Sequence, residues 1–244
     1  MVGGIWMKKL LVVLLIATVL GFTAKYAMGS IFGKGNEKDF LIEKDKAESL
    51  EVEVNLGVGK LSVTGGSDEW LEGTVVENKK FKPDISYHLS GKKGKAIVEQ
   101  KKNGLWNFGF GKAENNWEIA LNDEVPVDLR VNAGVSDANL DLRDIELSNL
   151  EVDGGIGDIE INLGGKREKG FHTVLNLGVG KTTIILPKEV GIKLITDKGI
   201  GKVDMEGFTK KSGNVYVNQA FEDSDTVIVI DSNLGIGEVN FKEE

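Results

Sequence analysis

The chain has 244 residues, enough for one elongated domain or two small ones beyond its N-terminus, and its net charge of −8 excludes the basic face that nucleic-acid binding needs and disfavours an acidic partner. With no cysteine it forms no disulfide, iron–sulfur cluster or thiolate zinc site, so cysteine usage suits either redox compartment. Its 32 glycines against only 3 prolines fit neither collagen nor a flexible linker, and read as punctuation between strands.

Lys8 and Lys9 precede an apolar run from Leu10 to Phe22. A membrane helix wants about 20 apolar residues, and this run extends through Thr23 and Ala24, past Lys25, into Tyr26 to Phe32. Residues 1–32 are therefore read as an uncleaved signal anchor, a single transmembrane helix. The rival is a cleavable signal peptide, with small residues at Ala24, Ala27 and Gly29. Either way the two lysines stay cytoplasmic and the remainder is exported. The expected location is the cell membrane, single-pass with the C-terminal domain extracytoplasmic, or secreted if the segment is cleaved. Residues 33–49 are charged and read as a linker, and residues 50–244 as the exported domain.

Within that domain, Leu50 to Val54 alternates with period two, Asn55 to Gly59 interrupts, and Leu61 to Val63 resumes. Residues 70–122 lack the interrupting motif and read as a hairpin-rich block of longer strands, with Trp70 to Val76, Ile85 to Leu89, Ala96 to Gln100 and Trp117 to Leu121 as candidates. Ser90 to Lys95 is the polar connection between two of them. This block also holds Phe81, Tyr87, Trp106, Phe108, Phe110 and Trp117. They form either a core closing one end of the domain or an exposed platform. Trp106, Phe108, Phe110 and Trp117 are the candidates for a partner or ligand surface.

After Val125 and Pro126 the interrupting motif returns repeatedly. Its copies are Asn55 to Gly59, Asn132 to Ser136, Asp153 to Gly157, Asn176 to Gly180, Asp197 to Gly201 and Asn233 to Gly237. The consensus is Asn or Asp, any residue, Gly, Val or Ile, Gly, departing only at Ser136. Successive first glycines from Gly134 to Gly199 are 21, 23 and 21 residues apart. Such spacing marks a solenoid. A longer gap before Gly235 places an extra half-turn or hairpin near Lys210 to Asp225, and the long gap after Gly57 makes the hairpin block an insertion between rungs.

Each position of the motif has a structural role. Gly57, Gly59, Gly134, Gly155, Gly157, Gly178, Gly180, Gly199, Gly201, Gly235 and Gly237 are read as corners, where the backbone bends or passes close to a neighbour. The Val or Ile between them is expected to point into the core. The Asn or Asp row is expected to form a ladder of side-chain hydrogen bonds across rungs. Alternate residues such as Val127, Leu129, Val131, Ile159, Ile161, Val203 and Met205 should line the interior. The charged Lys242 to Glu244 should protect the far open end of the coil from polymerising.

Catalytic and cofactor chemistry finds little to work with. Gly178 to Thr183 looks like the tail of a phosphate-binding loop, but Leu175 stands where the first glycine is required. Gly154 to Asp158 is not a nine-residue calcium repeat. Asp137, Asp141, Asp144, Asp153 and Asp158 fall on neighbouring rungs, where paired acids could cleave a polysaccharide. Their alternation with apolar residues makes them solubilising outward positions. His88 and His172 belong to no cluster and read as strand residues. No catalytic residue, metal site or cofactor is expected.

The LGVGK, GGIGDIEI, LGVGKTT and LGIGEVNF units, with the longer-stranded block before them, resemble the toast-rack repeat proteins. These are bacterial and archaeal envelope proteins grouped as candidate adhesins, and the module is similar to the C-terminal domain of LiaF-type cell-wall stress regulators. The resemblance covers roughly Leu50 to Phe241. It implies an all-β fold, a single-stranded right-handed β-helix displayed outside the membrane, without catalytic residues to carry over. One N-terminal hydrophobic segment replaces the multi-helix membrane domain of LiaF-type proteins, so signalling through membrane helices does not carry over. The expected function is a non-enzymatic, membrane-anchored interaction or scaffold module, adhesin-like or serving cell-envelope stress response, with an envelope protein or polysaccharide as partner. The alternative is a glycan-binding or glycan-cleaving β-helix using the aromatic block and the outward Asp residues. Oligomeric state stays open.

Overall fold

The computed structural model describes residues 36–77, 81–102, 115–197 and 199–244. The expected N-terminal anchor, and Trp106, Phe108 and Phe110, lie outside the described residues. No helix among the described residues is long and apolar enough to cross a membrane.

The described chain is all-β apart from one turn of 3-10 helix at Gln219–Glu222. In chain order the strands are β1 (Asn36–Ile42), β2 (Ser49–Thr64), β3 (Leu71–Glu77), β4 (Phe81–Ser90), β5 (Lys93–Lys102), β6 (Asn116–Leu121), β7 (Val127–Asp141) and β8 (Leu147–Ile156). They continue as β9 (Ile159–Asn162), β10 (His172–Leu186), β11 (Gly191–Asp197), β12 (Ile200–Met205), β13 (Thr209–Ser212), β14 (Val215–Val217) and β15 (Val227–Glu243). Each repeat is one rung with two legs joined at the glycine motif. In β2, β7, β10 and β15 a single long strand passes through the motif, while β8 with β9, and β11 with β12, make the same path in two pieces.

Rungs stack in parallel register, β2 on β7, β7 on β8 and β9, these on β10, and β10 on β15. Alternation sets the inside. Leu50, Val52, Val54 and Leu56 on the first leg of β2, and Leu61 and Val63 on the second, are all buried, and their register partners continue these rows through β15. Parity changes at the corner because two consecutive residues, such as Gly57 and Val58, face outward there. The third side carries no continuous sheet and is closed by Leu142, Ile145, Leu163, Phe171, Leu186 and Val190. Half-buried Arg167 holds that side together, donating to the carbonyl oxygens of Ile145 at 2.6 Å and Leu142 at 2.7 Å, with its guanidinium 5.5 Å from the Phe171 ring.

The block before Val127 is an insertion, since β2 pairs directly with β7. It also extends the coil past β2. The hairpin β4–β5 turns at Gly91 and Lys92 and adds to the first leg, while β6, β3 and β1 add to the second. Residues 36–42, expected in the charged linker, instead form β1, an edge strand whose register against β3 seats Ile42 in the core. The extra hairpin near Lys210 is present as β13–β14.

Rung order departs from chain order at the C-terminus. β15 inserts between β10 on one side and β11 and β12 on the other. The strand ending in Lys242 and Glu243 is therefore an inner rung and does not protect the coil's end, contrary to expectation. β12 holds that end, which is why Val203 and Met205 are only half-buried while Val127, Leu129, Val131, Ile159 and Ile161 are fully inside.

Candidate interaction surface

The residue between the two glycines of each motif faces solvent, and this corrects the expectation that it fills the core. Val58, Val135, Ile156, Val179, Ile236 and Ile200 range from 44% exposed at Val58 to 74% at Ile200. Simple alternation from Leu56 puts Val58 inside, but the bend adds one outward position and turns it out. In-register stacking then aligns Val58 with Val135, Val135 with Ile156, Ile156 with Val179, Val179 with Ile236, and Ile236 with Ile200. Six branched aliphatic side chains form an apolar ridge about 24 Å long, at roughly 4.8 Å per strand step. All but the terminal Ile200 are about half exposed.

Glycine is needed on both sides of the ridge because the rungs approach closely. A Cβ at Gly178 would fall on the carbonyl oxygen of Gly155, and one at Gly180 on that of Gly157. Gly180 also has φ of 147°, and the same mirror-image extended backbone recurs at Gly59, Gly157, Gly201 and Gly237. Ser136 takes this place in β7 without positive φ, and its buried hydroxyl has no hydrogen-bond partner.

The amide row lies on the other side of the first glycines and forms the expected ladder. Asn132 Nδ2 donates to Asn55 Oδ1 at 2.6 Å, Asn176 Nδ2 to Asp153 Oδ1 at 2.7 Å, and Asn233 Nδ2 to Asn176 Oδ1 at 2.8 Å. Along the amide row runs an open groove of about 760 Å³ floored by Gly57, Gly134, Gly155, Gly178 and Gly235. Its first end is closed by polar side chains. Gln100 Oε1 accepts from the backbone N–H of Gly57 at 2.8 Å and of Val58 at 3.0 Å, and Asn115 Nδ2 donates to the Val58 carbonyl oxygen.

Of the aromatic candidates, Trp117 is not a surface residue. It is 1% exposed, inside the core beside Leu61, with its indole N–H bonded to Asn115 Oδ1 at 3.0 Å. Its even place in the alternation of β6 sends it inward. Tyr87 and Trp70 converge on Asp45, whose Oδ1 accepts from Tyr87 Oη at 2.9 Å, Trp70 Nε1 at 3.0 Å and the Ala47 N–H at 2.9 Å. Burial works to raise the Asp45 pKa, and these three donors together outweigh it and hold it below the ordinary value. Burial and the facing Asp45 push the Tyr87 hydroxyl up to about 12.

Four of the outward acids are engaged in hydrogen bonds of the coil itself. Arg143 holds Asp141 through two bonds at 2.8 and 2.6 Å, and Asp153 is committed to Asn176. Asp158 Oδ1 accepts from the Lys181 N–H at 3.2 Å, and Asp137 from the Asp158 N–H at 3.4 Å. His172 lies on the outer face of β10 with Nε2 2.6 Å from Asp231. Among the described residues no cluster of three metal-ligating side chains occurs.

A parallel coil with a glycine-floored groove and an apolar ridge defines a β-solenoid. The family model described as the N-terminal domain of toast_rack (DUF2154) matches residues 31–185, and the chain belongs to the toast-rack family. A solved structure of a candidate cell adhesion protein from Clostridium sporogenes ATCC 15579 superposes with a TM-score of 0.82 at 29% identity, covering 86% of this chain and all of that one. A candidate adhesin from Bacteroides fragilis NCTC 9343 shares 12% identity over 85% of this chain and 97% of its own, with a TM-score of 0.33 too low to bear on function. No curated protein matches.

Proposed function

We propose that this chain is a non-enzymatic, adhesin-like interaction module of the cell envelope, held at the outer side of the membrane by residues 1–32, and that its apolar ridge docks an envelope protein. The rungs would coil as a single-stranded right-handed helix. The observation that carries the reading is the unbroken row of six exposed aliphatic side chains from Val58 to Ile200. The largest contiguous apolar patch on a protein surface is often a functional one. Export follows from Lys8, Lys9 and the Leu10 to Phe22 run. The name of the Clostridium sporogenes protein agrees with a role in adhesion. A protein partner fits better than a glycan, because the ridge is aliphatic and Trp117 is buried.

The test is a photo-crosslinking residue placed at Val179 or, as control, at Asn139 on the outer face of the second leg, in intact cells. A discrete protein adduct from Val179 alone, lost when Ile156 and Ile236 become Thr, supports the reading. Equal labelling from both positions, or none from Val179, overturns it. Deleting Leu10 to Phe22 should release the chain from membranes.

A further inference from the structure

The two ends of the coil are finished differently. At the first end both legs are covered, by β5 and β4 on one and by β6, β3 and β1 on the other. At the second end the antiparallel pair β14–β13 covers β11, while β12 pairs with β15 and with no strand beyond it among the described residues. Among the described residues β12 therefore presents a free edge six residues long, directly on a rung of the coil.

The stack fixes where the free backbone groups of β12 point. Ala138 donates its N–H to the Asp158 carbonyl of the following rung, and Gly157 donates to Val179 of the following rung. Register carries Ala138 through Ile159, Thr182 and Val239 to Val203, and Gly180 through Gly237 to Gly201. The N–H groups of Gly201 and Val203 are therefore aimed out of the sheet, where the next rung would lie. Such a template pairs with any strand that fits it.

The side chains identify one that fits. Lys202, exposed, and Asp204, half-exposed, face outward on the same side of β12 with their charged groups 3.6 Å apart. Antiparallel pairing of β12 with itself, centred on Val203, sets Lys202 opposite Asp204 of the second copy and Asp204 opposite its Lys202. The centre is then a hydrogen-bonded pair, and about six backbone bonds form in all. Val203 meets its own symmetry mate on the inner face, and Met205 meets Gly201, which leaves it room. A two-fold interface requires such self-complementarity.

We propose that the chain forms a two-fold dimer by antiparallel pairing of β12 with β12 of a second copy, centred on Val203. The half-buried Val203 and Met205 become interior residues of a sheet that runs through both copies. The groove and the ridge from Val58 to Ile236 lie at the corners outside the paired strand and stay open for a partner.

The test uses the full-length chain in detergent, followed by sedimentation equilibrium. Lys202→Asp places two like-charge pairs across the axis and should weaken the dimer about tenfold, as should Asp204→Lys. The double substitution restores both pairs and should return the parent affinity, and an equimolar mixture of the two single variants should form a heterodimer preferentially. A second arm exploits the absence of cysteine. Val203→Cys should cross-link readily under diamide, since opposed Cα atoms of a hydrogen-bonded pair lie about 5.5 Å apart, within disulfide reach. Lys210→Cys should not. A monomer at all concentrations with no cross-link at position 203, or a dimer indifferent to all three charge variants, overturns the proposal.

Discussion

Val179 stands in register with Ile236 of the neighbouring rung, and both side chains face solvent, 46% and 54% exposed. Leu177, two residues earlier on the same strand, is buried. Replacing Val179 and Ile236 together with Thr keeps their β-branched shape, so the change in unfolding free energy should stay within about 0.5 kcal/mol per site. Leu177→Ala should cost about 2–5 kcal/mol. Urea unfolding of the three proteins checks this, and a Thr pair as costly as Leu177→Ala would mean that the row is core.

Gly180→Ala should be among the most damaging single changes in the domain. The new methyl group meets the Gly157 carbonyl oxygen, and φ of 147° is closed to residues with a Cβ. A loss of about 3 kcal/mol or more is expected. Gly213→Ala is the control, because φ there is 53° and nothing lies within 4 Å of the added atom. It should cost only about 1–2 kcal/mol.

Trp117→Ala should destabilise by about 3–5 kcal/mol through the cavity it leaves. Trp117→Phe should lose less, chiefly the bond to Asn115 Oδ1. Chemical denaturation measures both. Intact folding of the Ala variant with weakened ligand retention would return Trp117 to the role of a binding residue.

Stability should fall in acid through Glu51. Its carboxylate accepts from Lys95 at 2.8 Å and pairs with Lys93 at 2.9 Å, and these bonds hold its pKa at about 2 against an ordinary 4.5. A depressed folded-state pKa contributes stability that is fully present above 4.5 and lost as pH falls toward 2. Glu51→Gln should be less stable than the parent at neutral pH and should flatten the slope across that window, as read by unfolding midpoints from pH 6 to 2.5. An unchanged slope would show that the two lysines bind the unfolded carboxylate equally well.

Much of the coil was legible before any coordinates. The amide ladder follows from Asn132, Asp153, Asn176 and Asn233 recurring at one place in each repeat, and the buried Val127, Leu129 and Val131 follow from period-two alternation. The strands of the hairpin block were legible to within a few residues, because Trp70 to Val76 and Trp117 to Leu121 are rich in large apolar residues and interrupted by only single charges. β1 was not. Asn36 to Ile42 carries three charges and gains its strand conformation from the exposed edge of β3.

The recurring glycines determined by themselves that the chain would coil with a tight corner at each repeat, its backbone too close to the next rung for a Cβ at the glycine positions. Local sterics decide that, since backbone packed against backbone leaves no space for a Cβ. Which way the residue between them points, that Trp117 is core, and that β15 enters the sheet ahead of β11 and β12 were decided by the tertiary structure alone. Those outcomes depend on the bend that breaks parity and on which edge was free to receive the last strand, and neither is encoded within the span of a single repeat.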